Sequence, residues 1–462
     1  MPSNKVLIAV EERMINGGQI SQHKRALAYA RQICRTHGYE AVVRMIRSTS
    51  QSEFDALTTD DYAFAIVPRI KPGNNWHASS KMLDFIEGSL GITTIILSAP
   101  AWGVSSIEGG VGTIRHQSGS VNAKLLWGDL ELYTRGQPQR LDGAKDVVAL
   151  AVDASDEDNV YAWRLQGDNG AVYCDSSDIV GNENYGGLFP MLLQEAVNRG
   201  DITAPPKKAT AYIDLDDFPD ATNTLGDAET LYALMQLHNI PLTIGINPVI
   251  DATVDDDILS YIAPRISQEG GLFYPITHNT SWLYNASKST LRANLEGSTG
   301  VGYLQSKGMD IPLHQGRYTY HPNNQVADDY LQLCKEYGVK VIRTDGAAAA
   351  ATGIYSPAGS IQRSERRGVR IVGSKSPFNS SDNQHEVDSA DEILSFLVGF
   401  GNCTILGAYA DMPFYFHGTE MYIGHTSETA PGYRFLERYG AMVSHCRDVM
   451  RFGHPSELAY SA

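Results

Sequence analysis

Residues 209–220 read Ala-Thr-Ala-Tyr-Ile-Asp-Leu-Asp-Asp-Phe-Pro-Asp, and the fold turns on this stretch. Ala209–Leu215 is a β-branched and aromatic run of the kind that forms a buried strand. Its end carries Asp214, Asp216, Asp217 and Asp220. Upstream lies Thr203–Lys208 (TAPPKK), where two prolines fix an extended path and two lysines favour solvent. This reads as a linker. Downstream, strand patterns at Leu242–Ile246, Leu272–Ile276, Val339–Arg343, Thr404–Ala408 and Pro413–Phe416 alternate with helical patterns near Asp328–Tyr337 and Tyr433–Met450. That rhythm predicts a (β/α) barrel of eight strands or fewer over residues 205–462, with reacting groups at the C-terminal ends of its strands.

Upstream of the linker the rhythm also alternates. Strands are expected at Val6–Val10, Ala63–Val67, Thr93–Leu97 and Val147–Val152, with a helix over Gln22–His37 whose apolar stripe includes Ala26, Ala30, Ile33 and Cys34. Strand–helix alternation implies a parallel sheet covered by helices. Residues 1–204 are therefore read as a flavodoxin-like or amidotransferase-like α/β domain. Its first loop, Glu11–Gln22, holds Gly17-Gly18 but neither a dinucleotide fingerprint nor a phosphate-loop pattern. No strand-end cysteine has a histidine partner, so this domain is read as non-catalytic. Residues 182–197 read as a glycine-containing loop running into an amphipathic packing helix.

The chain of 462 residues is too long for one core, and its formal net charge is −16. Such a balance argues against nucleic acid, whose phosphates need clustered Lys and Arg. No apolar run reaches the roughly 18 residues of a membrane helix. Met1–Glu12 reads as a first strand rather than a secretory leader. The default expectation is therefore a cytoplasmic protein, with virion association, non-classical export and oligomerisation left open. Five scattered cysteines without Cys-x-x-Cys spacing fit reduced, buried thiols.

Four clusters carry chemistry. Adjacent carboxylates such as Asp216 and Asp217 repel, so one suits a cation while its neighbour stays free as a base. An Asp-rich turn is the alternative reading. His278 follows the strand Leu272–Thr277, and a strand-end imidazole is a good ligand for a divalent metal. In Gly316–Asn323 (GRYTYHPN), Arg317 suits a bidentate grip on a carboxylate, and an N–H near Tyr320 suits an oxyanion. In Met412–Gly418 (MPFYFHG), His417 ends an apolar strand, where an imidazole can protonate a leaving group near neutral pH. His425 competes for that role.

In order and strand context these motifs resemble the polysaccharide deacetylase (NodB-homology, carbohydrate esterase) superfamily, over roughly Lys207–Ala462. Ile244–Pro248 (IGINP) resembles its second strand and His454–Ala459 its closing segment. The resemblance implies Asp216 as general base, Asp217 and His278 as metal ligands, and Arg317 as the brace of the base. It implies Tyr320 as oxyanion donor, Asp345 as the residue orienting the catalytic histidine, and His417 as general acid. The implied cofactor is a divalent metal, most simply zinc. The implied reaction removes N- or O-linked acetyl groups from a polysaccharide or glycan.

Two departures stand out. Trp282 occupies the place of the second metal histidine, and tryptophan has no lone pair to give. Thr319 stands where proline is usual. A third ligand then comes from elsewhere, with His321 ahead of His314 by loop position, or the metal is weakly held, or the site is degenerate. The competing readings are a non-catalytic carbohydrate-binding or virion protein on this scaffold, and a glycosidase using Asp214 and Asp216.

Overall fold

A computed structural model describes, apart from scattered single positions, residues 3–11, 33–46, 61–68, 90–97, 120–126, 130–135, 146–176 except Asp168, 188–216, 223–246, 256–267, 273–277, 287–296, 315–317, 341–344, 364–366, 369–373, 411–417 and 431–453. The chain divides into two compact units. The first joins Met1–Ala209 to Ala441–Arg451, and the second begins at Thr210.

The first unit is built on a nine-stranded sheet. Its strands are β1 (Lys5–Glu11), β2 (Glu40–Ile46), β3 (Phe64–Val67), β4 (Thr94–Leu97), β5 (Ser120–Leu125), β6 (Leu130–Arg135), β7 (Val147–Asp153), β8 (Val160–Gln166) and β9 (Ala171–Asp175). They lie in the order β2-β1-β3-β4-β9-β8-β7-β5-β6. From β2 to β9 every pairing is parallel. From β9 to β6 every pairing is antiparallel. The expectation of a parallel sheet is thus corrected: half of the sheet is antiparallel. β3 and β4 are buried at every residue, as continuous apolar runs of a parallel sheet must be. β2 is an edge strand whose exposed Glu40 and Arg44 discourage pairing with another chain.

Helix α1 (Phe189–Asn198) follows β9. Its start is fixed by buried Asp175, whose carboxylate accepts the Leu188 N–H at 2.7 Å. A negative charge suits the positive end of a helix. Beyond α1, Asp201 accepts a two-pronged contact from Arg164, at 2.8 and 3.1 Å, and a hydrogen bond from the Tyr173 hydroxyl at 2.6 Å. Burial raises the Asp201 pKa, yet the Arg164 and Tyr173 hydrogen bonds outweigh it and hold the carboxyl below its ordinary value. The tail residues bind the same unit. Gln194 on α1 donates to the Asp448 carboxylate and accepts the Asp448 N–H, both at 2.9 Å. Cys34, Cys174 and Cys446 are buried and free.

The second unit contains β10 (Ala209–Asp216), β11 (Leu242–Ile246), β12 (Phe273–Thr277), β13 (Gln315–Arg317), β14 (Val341–Thr344), β15 (Ser364–Arg366), β16 (Val369–Gly373) and β17 (Asp411–His417). One sheet runs β12-β11-β10-β17 and another β13-β14-β16-β15. Every pair is parallel except β15 with β16. Strand β12 also neighbours β13, and β16 neighbours β17. Going round, β10, β11, β12, β13, β14, β16 and β17 each touch the next, and β17 returns to β10.

Helices α2 (Leu225–His238), α3 (Asp256–Ser267) and α4 (Lys288–Glu296) alternate with these strands. A capping box of Thr224 and Asp227 opens α2, and Asn239 ends it in the left-handed conformation at φ 52°. Arg265 of α3 lies over the rings of Tyr261 and Tyr232, at 3.4 and 4.9 Å from their centroids.

Helix α5 (Pro431–His445) stops earlier than the expected Met450. A turn follows, and Met450–Phe452 forms β18, which pairs with β10. Here β10 overrides helical periodicity: the Ala209 N–H donates to the Val449 carbonyl and the Gly453 N–H to that of Ala211, both at 2.8 Å. The expected helices at Gln22–His37 and Asp328–Tyr337 are helical at 33–36 and at 332, 333, 335 and 336. The strand expected at Thr404–Ala408 lies outside the described residues.

Two tests follow from this packing. A Cβ added at Gly440 would stand 2.7 Å from the His238 ring. Gly440→Ala should therefore destabilise by about 1–3 kcal/mol despite alanine's helix propensity. Adding His238→Ala should recover part of the loss in a denaturant-unfolding cycle. The second test uses His37, buried on the Lys207 carbonyl at 3.3 Å. Burial pushes its pKa down to about 4, against the smaller upward pull of that hydrogen bond. The unfolded imidazole titrates near 6.5, so between these values the unfolded chain holds the extra proton and stability falls as pH drops. Urea midpoints near pH 7 and pH 4.5 should show His37→Gln losing less on acidification, by up to about 3 kcal/mol. Equal losses in both proteins would contradict the assignment.

Candidate active site

β10 is the strand from which the site is built. It ends at Asp216, and β17 beside it ends at His417. Their register pairs Asp214 with Tyr415, Leu215 with Phe416, and Asp216 with His417. On its other side Asp216 pairs with Gly245 of β11, and Gly245 with Ile276 of β12. One row across the sheet therefore reads His417, Asp216, Gly245, Ile276. Neighbouring strands in such a row are about 4.8 Å apart.

Alternation along the strands separates two kinds of row. Ile213 and Ile244 are fully buried, and Ile213 shares its row with Leu242 and Phe414. Two residues before the Asp216 row, Tyr415, Asp214, Thr243 and Tyr274 form a polar row. Positions two apart on a strand share a face. The polar positions thus repeat on the face opposite Ile213 and Ile244.

The other sequence candidates also gather at strand ends. Arg317 is the last residue of β13 and pairs with Arg343 of β14. Asp217 is next in sequence after β10, His278 after β12 and Asp345 after β14. Asp216, Arg317 and His417 are described as strand positions. Asp217, His278, Tyr320, His321 and Asp345 lie outside the described residues, as do His314, His425, Trp282 and the segment His454–Ala459. Among the described residues, no three His, Cys, Asp or Glu side chains are grouped to hold a metal ion. In kind, the donors next after β10 and β12, a carboxylate and an imidazole, are those that bind zinc.

These features define an α/β chain of two units with a polar row at the C-terminal ends of parallel strands. No family model matches the sequence, and no curated protein matches it. The fold is similar to that of Agd3, described as a novel carbohydrate deacetylase. The match has a TM-score of 0.56 and 11% identity, covering 100% of this chain and 87% of that one. At that identity the likeness establishes a shared fold. Weaker matches include the Xyl-CE4 domain of a multidomain xylanase from the hindgut metagenome of Trinervitermes trinervoides, at 13% identity and a TM-score of 0.31, covering 55% of this chain and 91% of that one. Another is the Bc1960 peptidoglycan N-acetylglucosamine deacetylase, at 14% identity and a TM-score of 0.28, covering 55% and 90%. Among the described residues no helix is long and apolar enough to cross a membrane.

The register is directly testable. Adjacent strand positions bring Cα atoms within the roughly 4.4–6.8 Å that a disulfide spans. The double variant Asp216→Cys/His417→Cys should lose two free thiols on mild oxidation, and peptide mapping should join the two segments. Efficient closure of Asp216→Cys with Phe416→Cys instead would show a register slipped by one residue.

Proposed function

We propose that this chain is a carbohydrate deacetylase that hydrolyses N- or O-linked acetyl groups on a polysaccharide or glycan. The observation that carries the reading is the pairing of Asp216 with His417 at the ends of adjacent parallel strands. Acyl transfer to water needs a base and an acid on neighbouring positions, and a carboxylate beside an imidazole supplies both. The fold shared with a chain described as a carbohydrate deacetylase supports the same reading.

In this reading residues 205–462, apart from Ala441–Arg451, which joins the first unit, form a seven-stranded (β/α) barrel, supported by the ring of neighbouring strands. Residues 1–204 form a non-catalytic, flavodoxin-like unit. Its support is the run β2-β1-β3-β4-β9, the 2-1-3-4-5 order of flavodoxin-type sheets with β5–β8 inserted before the last strand. The partner is an acetylated glycan, not nucleic acid.

Asp216 takes the proton of the water that attacks the acyl carbon. Arg317 holds that carboxylate in place. The Tyr320 N–H donates to the oxygen as it gains charge. His417, oriented by Asp345, gives a proton to the departing nitrogen or oxygen as its bond to the acyl carbon breaks. Asp217 and His278, with His321 as the third donor, would hold a divalent metal, most simply zinc. Such an ion supplies Lewis-acid polarisation of a carbonyl.

Acetate release from acetylated glycans, with divalent metal present, tests the proposal. Asp216→Asn should lower the rate by about 10²- to 10⁴-fold. His417→Ala should lose more on N-acetylated glycan than on an activated aryl acetate, whose leaving group needs no proton. Glycan binding without acetate release would favour the carbohydrate-binding alternative suggested by Trp282. Chain cleavage without acetate would favour a glycosidase.

A further inference from the structure

A second group of oxygen donors lies in the first unit, in the hairpin that joins β7 to β8. The loop reads Asp153-Ala154-Ser155-Asp156-Glu157-Asp158-Asn159, with four carboxylates and neither Lys nor Arg. Asp153 and Asn159 close it, the Asp153 N–H donating to the Asn159 carbonyl at 2.8 Å. They come next to the Val152–Val160 pair, so they stand opposite each other and share a face. Unlike the residues of a solvated turn, both are buried, at 2% and 1% exposure. Among the described residues the Asp153 carboxylate is hydrogen-bonded by Ser155 alone, and no Lys or Arg pairs with it. The Ser155 N–H and hydroxyl both donate to Oδ1, at 2.8 and 2.7 Å. Asn159 donates from Nδ2 to the Asp156 carboxylate at 2.8 Å. Its buried Oδ1 has no hydrogen-bond partner among the described residues, and neither has the hydroxyl of fully buried Tyr161. Ala162 pairs with Ala151 and Val160 with Val152, so Tyr161 is an extra residue in the ladder. A bulge of this kind re-aims a side chain. Burial and, after it, the Asp153 charge raise the Tyr161 pKa, so the phenol stays neutral and lies within reach of that carboxylate.

We infer that the β7–β8 hairpin is a calcium site, in which the Asp153 carboxylate and Asn159 Oδ1 hold the ion and the Tyr161 hydroxyl holds one of its waters. A buried carboxylate without an opposite charge is costly, and so is each buried polar atom without a partner. One cation relieves both costs together. The donors are a carboxylate, an amide and a hydroxyl, all hard oxygens, with no imidazole or thiolate of the kind zinc favours. Calcium accepts such mixed sets in flexible geometry and completes its six to eight ligands with backbone carbonyls and water. Asp156, Glu157 and Asp158 add negative potential around the same loop. The ion would fasten the end of the hairpin in the antiparallel half of the sheet. The site is independent of the deacetylase reading and of the cation proposed for the second unit.

The test is calcium titration of the full chain by calorimetry, with zinc(II) present to fill the site proposed in the second unit. Wild type should bind one calcium ion with a dissociation constant of about 10⁻⁵–10⁻³ M. Asp217→Ala should leave that binding unchanged, which separates the two sites. Asp153→Asn keeps an oxygen for Ser155 but removes the charge, and should weaken calcium by about tenfold or more. Tyr161→Phe keeps the packing and should weaken it by about 2- to 10-fold, the worth of one hydrogen bond. Calcium at about 100 times the dissociation constant should raise the wild-type unfolding temperature by about 5–10 °C. Asp153→Asn should lose that shift, yet unfold no lower than wild type when calcium is left out, since it removes an unpaired buried charge. Tyr161→Phe decides the matter if Asp153→Asn fails to fold. No calcium bound by wild type, or wild-type affinity in the folded variants, overturns the site.

Discussion

The parallel pairing of β10 with β17 is the constraint on which the rest depends. β10 opens the second unit and β17 arrives close to its end, so their ladder joins segments far apart in the chain. In a strand the side-chain period is two, so a slip of one residue would move every position to the opposite face. The observed register places Asp216 level with His417 and, through β11 and β12, with Gly245 and Ile276. Asp216 and His417 become partners in the ladder because two backbones hydrogen-bond in one alignment. Hydrophobic rows hold that alignment: fully buried Ile213 and Ile244 cannot move to a polar face without exposing their surface.

The first unit is fastened by buried polar groups as well as by its sheet. Arg164 and Tyr173 fix Asp201, and Asp175 holds the start of α1. Such groups are costly to bury unless paired, so a fully bonded set also specifies a single arrangement. Ala441–Arg451 contributes to this unit from far along the chain. Gln194 and Asp448 close that connection with a reciprocal pair of hydrogen bonds.

Much of this was legible in the sequence where one physical cause dominated. β1, β3 and β4 are apolar runs whose burial decides them, and β10, β11 and β17 read as runs of the same kind. The Asp216 and His417 positions were legible because polar residues break such runs at strand ends. The antiparallel strands β5, β6 and β8 were missed, since runs such as Ser120–Leu125 and Leu130–Arg135 mix charge with apolar residues and gain their pairing only from neighbours. The overrun of α5 has a similar cause. Cys446–Met450 reads as the end of that helix, yet the start of β10, before its pairing with β11 begins at Ile213, takes up the backbone around Met450.

The proposed cation site joins Asp217, next in sequence after β10, to His278, next in sequence after β12. Cobalt(II) titration followed by visible absorption tests that convergence most directly. The account predicts one bound ion in the wild-type chain, with a spectrum lost or strongly altered in both Asp217→Ala and His278→Ala. Wild-type affinity and an unchanged spectrum in both variants would contradict it.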